Sequence, residues 1–231
     1  MAEEFVNRPL LDLVSYARRG PYQRLSPAQI EQIRRTVGRS PEVMLKVLTY
    51  AGATTSQVRR HIDYISRNGE VELELDNGQL PGETAGTELV QDWDLDVPAV
   101  GSAEAVARGD NRTPRLVHKL VFSMPQGTPP DSVLQAVRTF AREEFALKHR
   151  YVMALHTDEP HPHVHVVVKA ISEQGVRLNI RKATLRGWRS AFAAHLRLAG
   201  VDANATGSSC RLVALQSSIP RRPRNAARSA C

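Results

Sequence analysis

Val164, Val166 and Val168 alternate with His163, His165 and Val167, and this period of two predicts a strand over 163–170 with an apolar face. Runs rich in apolar and β-branched residues predict further strands at 43–50, 115–123 and 150–156, with a short one at 176–180. Ser26-Pro27 supplies an N-cap and a proline at the first helical position, so a helix is expected to run to about Thr36. Thr54-Thr55-Ser56 opens a second helix over 56–67, stopped at Asn68-Gly69. Two longer helices are expected over 130–148 and 184–198, the latter stopped by Gly200. Residues 70–75 alternate acidic and apolar before Asn77-Gly78, a hairpin signal. From about 80 to 113 the chain is rich in Gly, Ala and acid with weak periodicity, and reads as a long acidic loop. The sum is an α+β fold: a central, mainly antiparallel sheet with helices packed on one face. Strand, helix, strand, strand over 115–170 is the order of half a split βαβ unit.

Charge changes the picture. The 231 residues carry 31 Lys and Arg against 24 Asp and Glu, a net charge of +7. The acids are concentrated: nine of them fall between Glu70 and Asp96, a span with no Lys or Arg. A basic body with one acidic insert suits a protein that meets a polyanion. Cys210 and Cys231 are the only cysteines, so the body has neither a disulfide framework nor a thiolate zinc site. No stretch has the length of a membrane span and the N-terminus lacks an apolar signal core, so a cytoplasmic location without membrane insertion is expected. The chain divides into an N-terminal helical extension over 1–40, a folded body over 41–205, and a basic tail over 206–231 with no helical or strand period, read as disordered.

Four of the eight histidines fall in one ten-residue segment, His156-Thr-Asp158-Glu-Pro-His161-Pro-His163-Val-His165. His163 and His165 lie two apart on a strand and share a face. His156 ends the preceding strand, so a hairpin brings it beside them. Three neutral imidazoles converging on one face make a metal site with positions left open for water or substrate. Imidazole ligation by itself favours Mn, Co, Ni or Zn over Mg. Asp158 is placed to orient an imidazole or to reach the metal, and His161 to cap the loop.

On a helical wheel Val58, Ile62 and Ile65 cluster within about 60° as a core stripe, and Tyr64 lies about 120° from Val58, beside Gln57, Arg60 and His61. Off the stripe and flanked by Arg60 and Arg67, Tyr64 is either a surface residue or a reactive phenol near a phosphate site, and the wheel alone favours the surface.

Taken together, three motifs change that reading. His61-Ile-Asp-Tyr64-Ile-Ser66-Arg67-Asn-Gly69-Glu-Val-Glu-Leu resembles the tyrosine motif of the MobA/Vir-type DNA relaxases, of the HUH endonuclease superfamily. Val121-Phe-Ser123-Met-Pro-Gln-Gly127 is similar to that family's middle motif, whose serine helps to hold DNA near the cut. His156-x-Asp158-(x)4-His163-x-His165 is similar to its histidine motif, and the three stand in the family's order. The likeness covers about 43–205, so the resemblance implies an HUH-relaxase-like nuclease domain there. Residues 1–40 precede the strand that usually opens this fold, and relaxases generally continue into further domains.

The resemblance implies that a divalent metal, Mg²⁺ or Mn²⁺, is held by His156, His163 and His165. It implies Tyr64 as the nucleophile of a site- and strand-specific nick at a plasmid transfer origin, with Asp158 in support. The implied DNA contacts include Ser123 and Arg67. Arg177, Arg181 and Lys182, just past the histidine strand, are candidate phosphate contacts, and Trp188 a stacking or core residue. The implied partners are single-stranded or hairpin DNA, an accessory DNA-binding protein and a secretion coupling protein. An unperturbed tyrosine titrates near 10, so Tyr64 needs help from the metal, Arg60, His61, Asp63 or Asp158. Three other readings share these residues: a replication or transposition HUH nickase, an inactive or truncated DNA-binding relative, and a metal hydrolase with water as nucleophile.

Overall fold

A computed structural model describes residues 25–48, 53–80, 85–95 and 115–206. The 206–231 tail, apart from Thr206, its cysteines and most of the N-terminal extension lie outside the described residues.

The elements in chain order are α1 (Pro27–Val37), β1 (Met44–Leu48), α2 (Thr55–Ile65), β2 (Leu73–Leu75), β3 (Gly78–Leu80), α3 (Ala85–Asp92), β4 (Val117–Ser123), α4 (Pro130–Glu144), β5 (Tyr151–His156), β6 (His163–Lys169) and α5 (Lys182–Leu198). Their starts follow the local chemistry. Ser26 and Gln29 form a capping box at α1, with each side chain bonded to the other's backbone. Thr54 caps α2 by accepting a hydrogen bond from the Gln57 amide.

The six strands form one sheet in the order β1-β4-β6-β5-β2-β3, each neighbouring pair antiparallel. β4 and β5 both run against β6, which lies between them, so they are mutually parallel and joined through α4: a split βαβ unit. The α+β class with an antiparallel sheet is therefore as the pattern predicts. The expected strand at 176–180 is reduced to a single bridge between Ile171 and Arg177.

Two features differ from expectation. Helices cover both faces of the sheet, not one. α4 and α5 pack on Leu120, Phe122, Met153, Val164 and Val166, while α2 and α3 pack on Val117, Val152, Ala154 and Val167. The cause is in the strands: β4, β5 and β6 place apolar side chains on both sides, and each side needs a cover. The second difference lies in the expected loop at 80–113, where residues 85–92 form α3. Ala85, Gly86, Leu89 and Val90 are buried on it, with Trp93 just beyond, and this helical spacing is interspersed with acids. Gly86 lets α3 lie close to α2, because a Cβ there would stand 2.6 Å from Oδ1 of Asp63 and 3.1 Å from the Arg59 carbonyl oxygen. Among the described residues no helix is long and apolar enough to cross a membrane.

The second face is apolar only part of the way along the sheet. At its other end it carries Ser123, His156, His163 and His165, and there the last turn of α2 lies over it.

Candidate functional site

Register assembles the cluster. Ser123 faces His163 across β4 and β6, and His163 faces His156 across β6 and β5. His165 stands one row further in, between Val121 and Ala154. One ring nitrogen from each of His156, His163 and His165 lies within 4.8 Å of the others.

The hydrogen bonds fix the tautomers of two of the rings. Nε2 of His156 donates to the carbonyl of Ile65 at 2.7 Å, so its lone pair is on Nδ1. Nδ1 of His163 donates to the His161 carbonyl at 3.0 Å, leaving Nε2 to ligate. His161 therefore contributes its backbone to the loop. Nδ1 of His165 is buried with no partner among the described residues. Burial holds the His156 imidazole below its ordinary range. His165 is pushed down to about 3, first by burial and then by His156, His163, His61 and Arg67. Both are neutral at pH 7, the form that binds a metal. An orphaned buried nitrogen, two imidazoles oriented by backbone carbonyls and a converging donor set fit a divalent ion.

Tyr64 comes to this cluster from α2. It is 52% exposed, as the wheel requires, yet its ring centre is 5.9 Å from that of His165 and 6.3 Å from that of His156. The core stripe holds α2 on the sheet through Val58, Ile62 and Ile65, and the flank of the helix hangs over the histidines. His61, one turn earlier, stacks on Tyr64 at 6.0 Å and meets His165 edge-on at 6.2 Å. Its pKa is lowered to about 4 by burial, Lys119 and His156. Asp63 faces α3 instead, beside Gly86.

Arg67 ties these parts together. Its guanidinium carbon lies 5.1 Å from the centre of the Tyr64 ring. One of its nitrogens pairs with Asp158 and stands 3.3 Å from Nδ1 of His156. The backbone aims it there through an unusual turn: Arg67, Asn68 and Gly69 all have positive φ, at 52°, 55° and 104°. Left-handed backbone at two successive non-glycine residues is strained, and such strain gathers at functional sites.

The remaining predicted residues divide. Ser123 borders the cluster, half-buried beside His163. Arg177, Arg181 and Lys182 are not brought to it. Arg177 bonds the carbonyl of Arg115, eight residues before Ser123 and about 25 Å away along an extended strand. Arg181 and Lys182 open α5, whose other end leads to the Asn204–Glu42 bridge near the start of β1, on the histidine side. Trp188 is buried against Phe140 and Phe145 and belongs to the core. Sequence reasoning passed over Lys119, a buried lysine on the histidine face of β4. Its signal was the period of two that aligns it with Val117, Val121 and Ser123.

Comparison with known proteins agrees with this geometry. The relaxase family described as MobA/VirD2-like, nuclease domain, matches residues 84–198. That span holds Ser123 and the three histidines, while Tyr64 precedes it. The T-DNA border endonuclease VirD2 of Rhizobium radiobacter is 29% identical over 168 residues, covering 68% of this chain and 36% of that protein. VirD2 of Rhizobium rhizogenes is 27% identical over 168 residues, covering 68% and 35%. The chain thus spans about a third of the length of these curated relatives. A chain solved in work on the "Molecular Basis of Vancomycin Resistance Transfer in Staphylococcus aureus" aligns with a TM-score of 0.42 at 14% identity, over 73% of this chain and 99% of that one, too slight a likeness to bear on the fold. With the histidine face on the matched span, residues 84–198 are those of a MobA/VirD2-like relaxase nuclease domain.

Proposed function

We propose that this chain is a metal-dependent, site- and strand-specific DNA nickase that opens a transfer origin by tyrosine transesterification. The observation that carries this reading is Tyr64 standing 5.9 Å and 6.3 Å, ring to ring, from two members of a three-imidazole cluster. His156, His163 and His165 would hold Mg²⁺ or Mn²⁺, which when bound polarises a phosphodiester and neutralises charge developing on it. The Tyr64 oxygen forms a bond to phosphorus, the bond from phosphorus to the 3′ oxygen breaks, and that oxygen leaves as a hydroxyl. The proton given up by the phenol balances the one taken up by the 3′ oxygen, and the phosphotyrosyl link keeps the ester energy for rejoining.

The other residues position these groups. Arg67 lies against the Tyr64 ring and supplies positive charge beside the phosphate. Asp158 fixes Arg67, which makes it a positioning residue. Ser123, beside His163, contacts the strand at the cut. Arg177, Arg181 and Lys182 contact DNA away from the cut, at the far end of the sheet. The substrate is single-stranded or hairpin DNA in the bacterial cytoplasm, for plasmid mobilisation. An accessory DNA-binding protein and a secretion coupling protein complete the transfer. The name of the curated relatives, border endonuclease, supports cleavage of DNA.

Covalent capture tests this. The protein is incubated with Mn²⁺ or Mg²⁺ and supercoiled DNA carrying its neighbouring intergenic region, then denatured in detergent. Nicked DNA with protein attached is expected, and is lost in Tyr64→Phe and His163→Ala. Metal-dependent nicking that survives Tyr64→Phe would assign the attack to water and overturn the tyrosine mechanism.

A further inference from the structure

Lys119 is 4% exposed, on the sheet face that also carries His163 and His165. It stands two residues, ~7 Å of strand, from Val121, the register partner of His165. Among the described residues it makes no ion pair or hydrogen bond. The charged group that acts on it is another cation, Arg60 of α2. Burial, then Arg60, pushes its pKa down to about 8. It in turn lowers the pKa of His61, the residue stacked on Tyr64. Two carboxylates close to the cluster in sequence face other groups: Asp158 pairs with Arg67, and Asp63 faces Gly86.

The Lys119 side chain is enclosed while its ammonium keeps some contact with solvent, and a lysine buried to this extent is rarely left without a counter-charge. An anionic ligand would supply the missing partner. We propose that Lys119, with Arg60, forms an anion subsite for a phosphate of the DNA strand adjacent to the phosphate held at the histidines. This rests on the relaxase reading of the site. The subsite lies on the His61 side of Tyr64 and Arg67 on the other, so the strand is gripped on both sides of the nucleophile and its register over Tyr64 is fixed.

The test is binding of a short oligothymidylate to the full chain, by fluorescence anisotropy across a series of salt concentrations. Each phosphate neutralised on a single strand contributes about 0.7 to the slope of log K against log salt. Lys119→Gln is expected to weaken binding and reduce the slope by about 0.7, while Lys119→Arg keeps it. Reductive ¹³C-methylation gives a readout free of folding effects: the dimethyl-Lys119 resonance of the parent protein should shift on adding the oligonucleotide. Unchanged affinity and slope in a folded Lys119→Gln, or an unmoved Lys119 resonance, would overturn the subsite. A parent protein that binds no oligothymidylate would overturn it together with the relaxase reading. Binding with the expected Lys119 dependence, but without covalent capture, would uphold the subsite and sink the tyrosine chemistry alone.

Discussion

The imidazole of His156 donates a hydrogen bond to the carbonyl of Ile65, the residue next to Tyr64, at 2.7 Å. A member of the histidine cluster is thereby fastened to the end of the helix that carries Tyr64, the proposed nucleophile. The bond does two things at once. It leaves the lone pair on Nδ1 of His156, where an Arg67 nitrogen stands 3.3 Å away, and it fixes where α2 ends relative to the sheet.

The histidines should therefore differ on substitution. His156 is 2% exposed and bonded to α2, whereas His163 is half-buried at the mouth of the cluster. His156→Ala is expected to lose about 1–3 kcal/mol of stability, because the Ile65 carbonyl is left without its donor. His163→Ala should lose well under 1 kcal/mol. Added Mn²⁺ should raise the melting temperature of the parent protein by mass action, and neither variant should show the full rise. Thermal melts with and without Mn²⁺ check both points.

Tyr64→Phe should separate chemistry from structure. The residue is 52% exposed and off the core stripe, so removing its hydroxyl is expected to change stability by less than about 0.5 kcal/mol. Mn²⁺ affinity should stay within a factor of about two, since the histidines are untouched. Only covalent capture should vanish. A large loss of metal affinity in this variant, measured by calorimetry, would show that the phenol belongs to the metal site and does not act as a separate nucleophile.

How much of this was legible beforehand depends on the range of the cause. The histidine face could be read directly, because alternation on β6 and a hairpin to β5 are local matters. Tyr64 could not be placed by the wheel, since being off the core stripe says only that a residue is exposed. What it is exposed beside depends on β2 pairing with β5, which carries the end of α2 to His156. The motif likeness supplied what periodicity could not. α3 was hidden because its apolar positions are separated by acids and glycine in a segment with strong loop composition. Lys119 was hidden for a related reason: a lysine on a strand suggests a solvent face, and only the second helical layer makes that face an interior.

That second layer makes Gly86 a sensitive position. A Cβ would meet a movable carboxylate at 2.6 Å, but also the backbone of Arg59 at 3.1 Å and 3.3 Å, which cannot swing away. Alanine gains about 1 kcal/mol of helix propensity to set against that contact. Valine adds two methyl groups and gains less. Gly86→Val is expected to cost about 1–3 kcal/mol, and to impair covalent capture by shifting α2. Chemical denaturation together with the nicking assay checks this.

Acid should destabilise the protein through histidines that are buried neutral, and His118 shows the sign away from the histidine cluster. Burial, then Arg115, lowers its pKa from 6.5 to about 4, against the nearby Leu178 backbone carbonyl, which works the other way. Between pH 6.5 and 4 the unfolded chain binds a proton at this residue that the folded chain does not. Its contribution is therefore fully present above about pH 6.5 and is lost as pH falls towards 4. His149, shifted down in the same direction mainly by burial, adds to the effect. With chelator present, the denaturant midpoint should fall steadily from pH 7 to pH 4.5. His118→Leu should flatten that fall without altering the response to Mn²⁺ at pH 7. If the variant tracks the parent protein across the whole range, the acid sensitivity comes from other groups and His118 is not held neutral by the fold.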